Sequence, residues 1–187
     1  HTVGDQVGEA FRLHTNSGKD GVRSMTQEIL RLVGFPDPAR ALKTYPFELS
    51  GGLRQRAMIA MALICRPALL IADEPTTALD VTVQARVLKL IQRLQQELGL
   101  ALMLITHDLG VIAHTVEYVY VMYLGQVVEE GPVAEIFDHP AHPYTQALLH
   151  SIPSLTSKAE RLEPIDGSVP SAYELPSGCP FHTRCTQ

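Results

Sequence analysis

Few cysteines and the lack of a long apolar run set the first limits on this sequence. Three cysteines in 187 residues are too few for a disulfide-stapled secreted domain, so a reducing compartment is expected. The longest apolar run, at residues 57–65, has nine residues. A membrane-spanning helix needs about 20 apolar residues, so this sequence predicts no such helix.

The chain also lacks an excess of basic residues. Fifteen lysines and arginines against twenty aspartates and glutamates give a net charge of −5, whereas nucleic-acid-binding domains tend to be basic. Hydrophobic residues make up 45%, which is ordinary for a globular protein and excludes a mainly disordered chain. The chain starts at His1 and stops at Gln187 within a cysteine-containing turn, so we expect a piece cut from a longer protein.

The hydrophobic pattern predicts alternating helices and buried strands. Helical spacing and short continuous apolar runs place helices at residues 25–33, 53–65, 81–98, 133–137 and 144–150, and strands at 69–72, 101–105, 118–123 and 126–129. This order is typical of an α/β fold around a parallel sheet. Because about four strands are few for such a sheet, we expect a domain that is incomplete on its N-terminal side. An irregular tail is expected after residue 151.

A hydroxyl residue and two glycines open the second of these helices. Ser50 stands at the N-cap position, and Gly51 and Gly52 allow a ligand to approach the backbone closely. The unpaired N–H groups and the dipole of a helix N terminus favour an anion such as phosphate. Taken alone, these three residues are more typical of an ordinary capped helix.

Two polar groups follow predicted buried strands. Asp73 and Glu74 come after the strand at 69–72, and His107 comes after the strand at 101–105. Ligands of open α/β sheets bind beyond the carboxyl ends of the strands. A carboxylate pair there can hold Mg²⁺ and act as a base toward water, and a histidine can polarise a phosphate. Each signal alone also fits a solvated strand end or a structural histidine.

Taken in order along the chain, these motifs resemble the ATP-binding subunit of ABC transporters. The signature motif is matched by Ser50-Gly51-Gly52, Walker B with its catalytic glutamate by residues 69–74, the D-loop by Ala78-Leu79-Asp80 and the switch histidine by His107. The match covers residues 45–131. It implies a partial P-loop NTPase domain with a parallel sheet core, a helical subdomain and an irregular C-terminal extension.

The resemblance implies a role for each of these residues. Glu74 is the catalytic base that polarises the attacking water, His107 stabilises the γ-phosphate, and Asp73 holds Mg²⁺ through water. Subunits of the family pair head to tail, so Asp80 is expected to cross the dimer interface. Four signature residues are expected to bind ATP held by the partner: Ser50, Gly51, Gly52 and Gln55.

Further segments narrow the resemblance to the dipeptide/oligopeptide (and nickel) importer branch. They are Tyr45-Pro46, residues 72–81, 122–125 and 128–132, and His142-Pro143-Tyr144-Thr145. The tail at residues 178–185 is similar to the C-terminal extension of that branch. The branch also implies three parts: a helical subdomain at 1–62 ending in the signature helix, the C-terminal part of the ATPase core at 63–138, and a truncated importer-type extension at 139–187.

The cysteines and two histidines of the tail raise the question of a metal centre. Some members of the branch bind an iron–sulfur cluster through four cysteines, whereas Cys179 and Cys185 supply two. A cluster is therefore left open for the longer protein and not expected in this chain. We expect Cys65 to lie in the core. His139 and His142 flank prolines and are interpreted as a turn before a helix rather than a metal site.

One motif of the family is missing. No Gly-x-x-x-x-Gly-Lys-[Ser/Thr] Walker A sequence occurs, and the nearest candidate, at Gly18-Lys19, has Asp20 in the hydroxyl position. We expect Walker A, the Q-loop glutamine and the adenine-stacking aromatic residue to lie upstream of His1. The chain by itself is therefore expected to be an inactive fragment.

The sequence thus predicts an ATP-hydrolysing subunit of a peptide-class ABC importer on the cytoplasmic face of the cell membrane. Expected ligands are ATP and Mg²⁺. Expected partners are a second ATPase subunit, identical or not, transmembrane permease subunits and, indirectly, an extracytoplasmic solute-binding protein, but no nucleic acid. The alternative is a non-transport ABC ATPase of DNA repair, chromosome maintenance or the ribosome, which would show coiled coils, a second ABC half or basic surfaces.

Overall fold

The computed structural model describes residues 1–77, 79–151, 165–171 and 173–186. The chain divides into two compact units, His1–His107 and Asp108–Gln187. The boundaries predicted at residues 62 and 138 concern functional subdomains and stay predictions. Within the described residues, every helix is too short or too polar to cross a bilayer.

The first unit consists of five helices and one pair of strands. In chain order these are α1 Val3–His14, α2 Lys19–Leu32, α3 Pro38–Ala41, α4 Gly51–Leu63, β1 Leu69–Asp73, α5 Val81–Leu98 and β2 Ala101–Ile105, with a 3-10 turn at Pro46–Glu48 before α4. Fully buried apolar side chains from α1, α2, α4 and α5 form its core, among them Val7, Leu30, Leu63 and Leu94. This core holds α4 and α5, the two helices that frame the candidate site.

The strand–helix–strand segment of this unit confirms the predicted elements. Strands β1 and β2 pair in parallel, with Leu69 opposite Ala101 and Asp73 opposite Ile105. Helix α5 connects them and ends at Gly99, whose φ of 63° is the left-handed conformation that glycine adopts readily. The expectation of burial on both faces is wrong. Leu70 and Ala72 are buried, whereas the opposite face is exposed: Leu69, Ile71, Met103 and Ile105.

The second unit contains a hairpin and short helices. Its elements are α6 Leu109–Thr115, β3 Tyr118–Tyr123, β4 Gln126–Pro132, α7 Val133–Asp138 and α8 Pro143–His150, with a 3-10 turn at His182–Arg184. Strands β3 and β4 are antiparallel, and Leu124 and Gly125 both have positive φ in the connecting turn. Two such residues match the right-handed twist of a hairpin. Strands β1 and β2 thus supply the predicted parallel sheet, and the described strands β3 and β4 form an antiparallel pair.

Two further expectations need correction. Cys65 is exposed and not part of the core, because α4 ends at Leu63 and the chain turns at Arg66, where φ is 47°. Helix α1 lies outside the helices predicted from apolar spacing, the first of which begins at residue 25. Its first turn is fixed by a capping box, in which Thr2 and Asp5 bond reciprocally to each other's backbone N–H.

Candidate functional site

The N terminus of α4 presents the predicted phosphate-binding residues. Ser50 is the N-cap, and its hydroxyl accepts a hydrogen bond from the Leu53 N–H at 3.4 Å. The first N–H groups of a helix have no partner within the helix, so Gly51 and Gly52 offer theirs to a ligand. These groups and the helix dipole together create a local preference for negative charge.

A groove of about 390 Å³ opens beside this helix N terminus. It lies between α4 and the start of α5, and its polar walls include Ser50, Asp80, Arg56 and Arg86. A side chain at position 52 would place its Cβ 3.3 Å from Cγ1 of Val83. Glycine at this position therefore serves the close packing of α4 on α5 as well as access for a ligand.

Glu74 and His107 meet at the carboxyl ends of the parallel strands. The imidazole Nδ1 of His107 lies 2.7 Å from Oε1 of Glu74, and the backbone N–H of His107 donates to the same oxygen at 3.2 Å. Because an ionised carboxylate only accepts, Nδ1 carries the proton and Nε2 points elsewhere. The side chain of His107 is 85% exposed and that of Glu74 is 37% exposed, so both are accessible to a ligand.

The turn that carries Glu74 is held in an unusual conformation. Its φ of 46° lies in the left-handed region, which is costly for a residue other than glycine. The Glu74 N–H donates to the carbonyl of Ile105 on β2 at 2.9 Å, and the Thr77 hydroxyl donates to Oε2 of Glu74 at 3.0 Å. The hydrogen bond from His107, with a smaller contribution from Thr77, lowers the pKa of Glu74. The carboxylate is therefore ionised at neutral pH.

Asp73 ends β1 immediately before this turn and is exposed. Protein sites for Mg²⁺ commonly use one or two carboxylates, with water and substrate phosphates completing the coordination. Asp73 fits that pattern as one ligand acting through water. Among the residues that the structure describes, no group of three or more histidine, cysteine, aspartate or glutamate side chains is arranged to hold a metal.

Gln55 and Asp80 are both engaged within the chain. The Gln55 side-chain amide lies one turn inside α4 and donates to the carbonyl of Pro75 at 2.5 Å. Asp80 caps α5, with its carboxylate accepting from the Val83 N–H at 2.9 Å. Of the predicted D-loop, Leu79 and Asp80 line the groove, whereas Ala78 lies outside the described residues.

The C-terminal cysteines are not grouped with a full set of cluster ligands among the described residues. Cys179 Sγ lies 3.9 Å from Nε2 of His142, and Cys185 is half-buried. Such a cluster is held by four thiolates, or by two thiolates and two histidines, and the described residues do not assemble either set here. His142 caps α8, and its ring contacts that of Phe181 in a tilted arrangement, so the predicted turn before a helix is present.

Three groups at the site were not predicted from the sequence. Thr77, the carbonyl of Pro75 and Arg86 all lie at the site. Thr77 was detectable in principle, because a hydroxyl three residues after a carboxylate can bond to it within one turn. The Pro75 carbonyl and Arg86 carry no local pattern, since tertiary packing brings them to the site.

Two family models match the chain. The ABC transporter model matches residues 2–77, and the model for the C-terminal region of oligopeptide/dipeptide transporters matches residues 128–187. The first match includes Ser50, Asp73 and Glu74, and the second covers all of β4 except its first two residues, together with the tail.

Curated relatives match across the whole chain. A putative peptide import ATP-binding protein of Brucella ovis is 52% identical over 100% of this chain and 57% of its own length. The dipeptide transport ATP-binding protein of Bacillus subtilis is 52% identical over 98% and 55%, and that of Haemophilus influenzae is 51% identical over 99% and 56%. The chain thus spans a little over half the length of the relatives that it matches.

Solved structures show the same fold. CbiO1 of Clostridium perfringens, part of an ABC transporter complex, aligns with a TM-score of 0.63 and 29% identity over 74% of this chain and 53% of its own. The dimeric bacterial ABC transporter cassette MJ0796 aligns with a TM-score of 0.59 and 29% identity over 71% and 57%. With the two family models and the whole-chain relatives, these alignments show that the chain belongs to the ABC transporter family of ATP-binding proteins.

Proposed function

We propose that the full-length protein hydrolyses ATP and thereby energises an ABC importer for peptides. The observation that carries this proposal is the Glu74–His107 pair, which lies beside Asp73 at the carboxyl end of the parallel strands. The names of the relatives support the peptide class of solute. The match of the tail to the oligopeptide/dipeptide C-terminal region supports it independently of the ATPase motifs.

The residues of this chain divide the work of hydrolysis. Glu74, held ionised by His107 and Thr77, orients the attacking water and accepts its proton. His107 faces the γ-phosphate with Nε2. Asp73 would hold Mg²⁺ through water, and the bound ion would supply positive charge near the phosphates. The α4 N terminus donates its free N–H groups to the phosphates of ATP held by a second subunit.

The proposal also includes the proteins with which an importer ATPase works. A second ATPase subunit, identical or not, completes each ATP site, and Asp80 lies at the interface between the two. Transmembrane permease subunits are contacted through the helical segment at residues 1–62. The protein then works at the cytoplasmic face of the membrane, and a solute-binding protein delivers the peptide on the other side.

The catalytic assignment is tested with Glu74→Gln in the full-length gene product. Turnover should fall by about 100-fold or more, the contribution typical of a general base, while ATP binding is retained. The control is Glu130→Gln, an exposed residue of the second unit, which should leave turnover unchanged. Unchanged turnover in Glu74→Gln contradicts the assignment. The 187-residue chain by itself should not hydrolyse ATP. Hydrolysis that depends on Glu74 in this chain contradicts the expectation that the chain alone is inactive, not the role of Glu74.

The transport assignment is tested by deleting the gene and measuring uptake. Import of labelled dipeptides and oligopeptides should be lost and should return with the wild-type gene. Glu74→Gln should fail to restore it. Normal peptide uptake in the deletion strain, with loss of nickel uptake instead, assigns the protein to another solute class.

A further inference from the structure

We propose that Gln55 is a positioning residue that links the signature helix to Glu74 of the same subunit. It then does not serve as a contact to ATP held by the partner. This inference rests on the proposed ATPase function, and it assigns to Gln55 a role different from the one that the family resemblance implies. In a dimer, the signature helix of a subunit faces one ATP site and its Glu74 serves the other, so Gln55 links the two sites through that subunit.

The contact that carries the inference joins segments 20 residues apart. The Gln55 amide Nε2 donates to the carbonyl oxygen of Pro75 at 2.5 Å, and the side chain is half-buried. Pro75 follows Glu74 directly in the chain. A short hydrogen bond to this carbonyl fixes the plane of the peptide between Pro75 and Thr76. Because the ring of Pro75 also fixes its own φ, the turn that follows Glu74 has little freedom to move.

The Glu74 turn is thereby held from two sides. On the strand side, the Glu74 N–H donates to Ile105 of β2 and its carboxylate accepts from His107. On the helix side, Gln55 holds the carbonyl of Pro75. Because Glu74 has a φ of 46°, its conformation depends on the surrounding bonds. Removing the bond on the helix side leaves a strained turn held by the strand side and by its own internal bonds.

The same two segments touch at a second place. The positions where Cβ atoms would lie on Gly51 and Gly52 are 3.9 Å from Cδ2 of Leu79 and 3.3 Å from Cγ1 of Val83. Both partners follow the Glu74 turn in sequence. A shift of the signature helix on contact with ATP therefore acts on Pro75, Leu79 and Val83, with Gln55 as the polar connection.

A role for Gln55 at the partner's ATP requires that this bond be given up. The amide lies one turn inside α4, whereas the free N–H groups face outward from its first turn. Rotating the amide outward leaves the half-buried carbonyl of Pro75 without its donor, which is unfavourable. The geometry favours the contact within the subunit.

Crossed dimers of the full-length protein separate the two roles. In a head-to-tail dimer, each ATP site combines Glu74 of one subunit with the signature of the other. The substitution Gln55→Met, which keeps the length of the side chain but removes the donor, is combined with Glu74→Gln in dimers of two differently tagged copies. The reference dimer carries Glu74→Gln in one copy and wild type in the other, so one site is active.

With both substitutions in the same copy, the surviving site uses the Glu74 of an intact subunit, and hydrolysis should equal that of the reference dimer. With Gln55→Met in one copy and Glu74→Gln in the other, the surviving site uses the unsupported Glu74. Its kcat should fall by about 10- to 100-fold, as expected for a misplaced catalytic group, with KM for ATP unchanged. The matched control is Gln96→Met, at an exposed position of α5, which should behave as wild type in both arrangements.

The opposite pattern, with loss when both substitutions share one copy, means that Gln55 touches the partner's ATP and overturns the proposal. Equal loss in both arrangements overturns it as well. Failure of the proposed function looks different, because then the wild-type dimer either does not hydrolyse ATP or is unaffected by Glu74→Gln.

A second measurement needs no activity. In the 187-residue chain, the Gln55 side-chain amide protons should give nuclear Overhauser contacts to residues 75 and 76. The Glu74 amide, which is bonded to Ile105, should exchange its hydrogen about 10-fold faster in Gln55→Met, a change that corresponds to about 1.4 kcal/mol. Missing contacts together with unchanged exchange overturn the proposal.

Discussion

At the scale of single residues, the chemistry of Glu74 depends on its neighbours more than on its position in a motif. The sequence identified the carboxylate and His107 from their places after two strands. It did not predict the left-handed backbone at Glu74 or the hydroxyl of Thr77 on its second oxygen. Those features arise from the turn itself and from β2, which lies about 30 residues away, so no local pattern reports them.

Glu129 provides a second carboxylate whose environment leads to a prediction. Its two oxygens accept hydrogen bonds from the N–H groups of Ala141 and His142 at 2.7 and 3.1 Å. Burial raises the pKa of Glu129, but the hydrogen bonds that it accepts outweigh burial, and its pKa is lowered from the ordinary value of 4.5. A carboxyl whose folded pKa is lowered stabilises the protein above the unfolded pKa. That contribution is lost as the pH falls below 4.5 and through the folded pKa.

Glu129→Gln should therefore lower the free energy of unfolding by about 1–2 kcal/mol at pH 7 and by less at pH 3.5, measured by urea denaturation. The amide resonance of Ala141 should titrate with a midpoint below 4.5 in the wild type and not in the variant. Glu130→Gln, at the exposed neighbouring position, is the control. A loss of stability that does not depend on pH contradicts the role assigned to the charge.

At the scale of elements, prediction succeeded where the pattern is local. Helix α5 was predicted at residues 81–98 and is found at Val81–Leu98, because Asp80 and Gly99 mark its ends and its apolar residues repeat at helical spacing. Helix α1 was missed. Its buried residues Val3 and Val7 lie one turn apart, but the stretch is otherwise polar. One apolar pair is too little periodicity to predict a helix.

Helix α1 packs so closely on the chain after α3 that the side chain at position 4 matters. A Cβ on Gly4 would lie 2.5 Å from the carbonyl oxygen of Leu42 and 2.9 Å from its Cα, both of them backbone atoms that cannot turn aside. Gly4→Ala should thus destabilise the chain by about 1–3 kcal/mol through overpacking. At the exposed position Gly21 of α2, a Cβ would meet Cβ of Ser17 at an ordinary 3.5 Å.

The same change at Gly21 should have the opposite sign, stabilising the chain by about 0.5–1 kcal/mol, because alanine is the better helix former. Thermal and urea unfolding of the two variants measures the difference. If Gly4→Ala is as stable as wild type, α1 does not sit against Leu42 in solution.

At the scale of the whole molecule, the predicted α/β fold with a parallel sheet is confirmed, whereas burial of both faces of that sheet is not found among the described residues. Strands of a parallel sheet read as continuous apolar runs because both of their faces are covered, and residues 69–72 have that character. In the first unit, one face of the β1–β2 pair packs on the core, whereas four apolar residues of the other face are between 45% and 59% exposed: Leu69, Ile71, Met103 and Ile105. The apolar composition of β1 and β2 predicts that both faces of the pair are covered, whereas the described residues cover one face.

This exposed face leads to a prediction about the 187-residue chain in solution. Contiguous apolar surface of this kind binds hydrophobic dyes, so the chain should enhance the fluorescence of anilinonaphthalene sulfonate. Ile71 and Met103 are opposite each other across the two strands. Replacing both by threonine, which keeps the β propensity, should lower the enhancement by about half, because two of the four residues on the face are changed. Val81→Thr, at an 83% exposed residue outside the strands, is the control for loss of a single exposed apolar side chain. Dye binding that the double substitution leaves unchanged means that this face is covered in solution, and that the apolar character of β1 and β2 is satisfied within the chain after all.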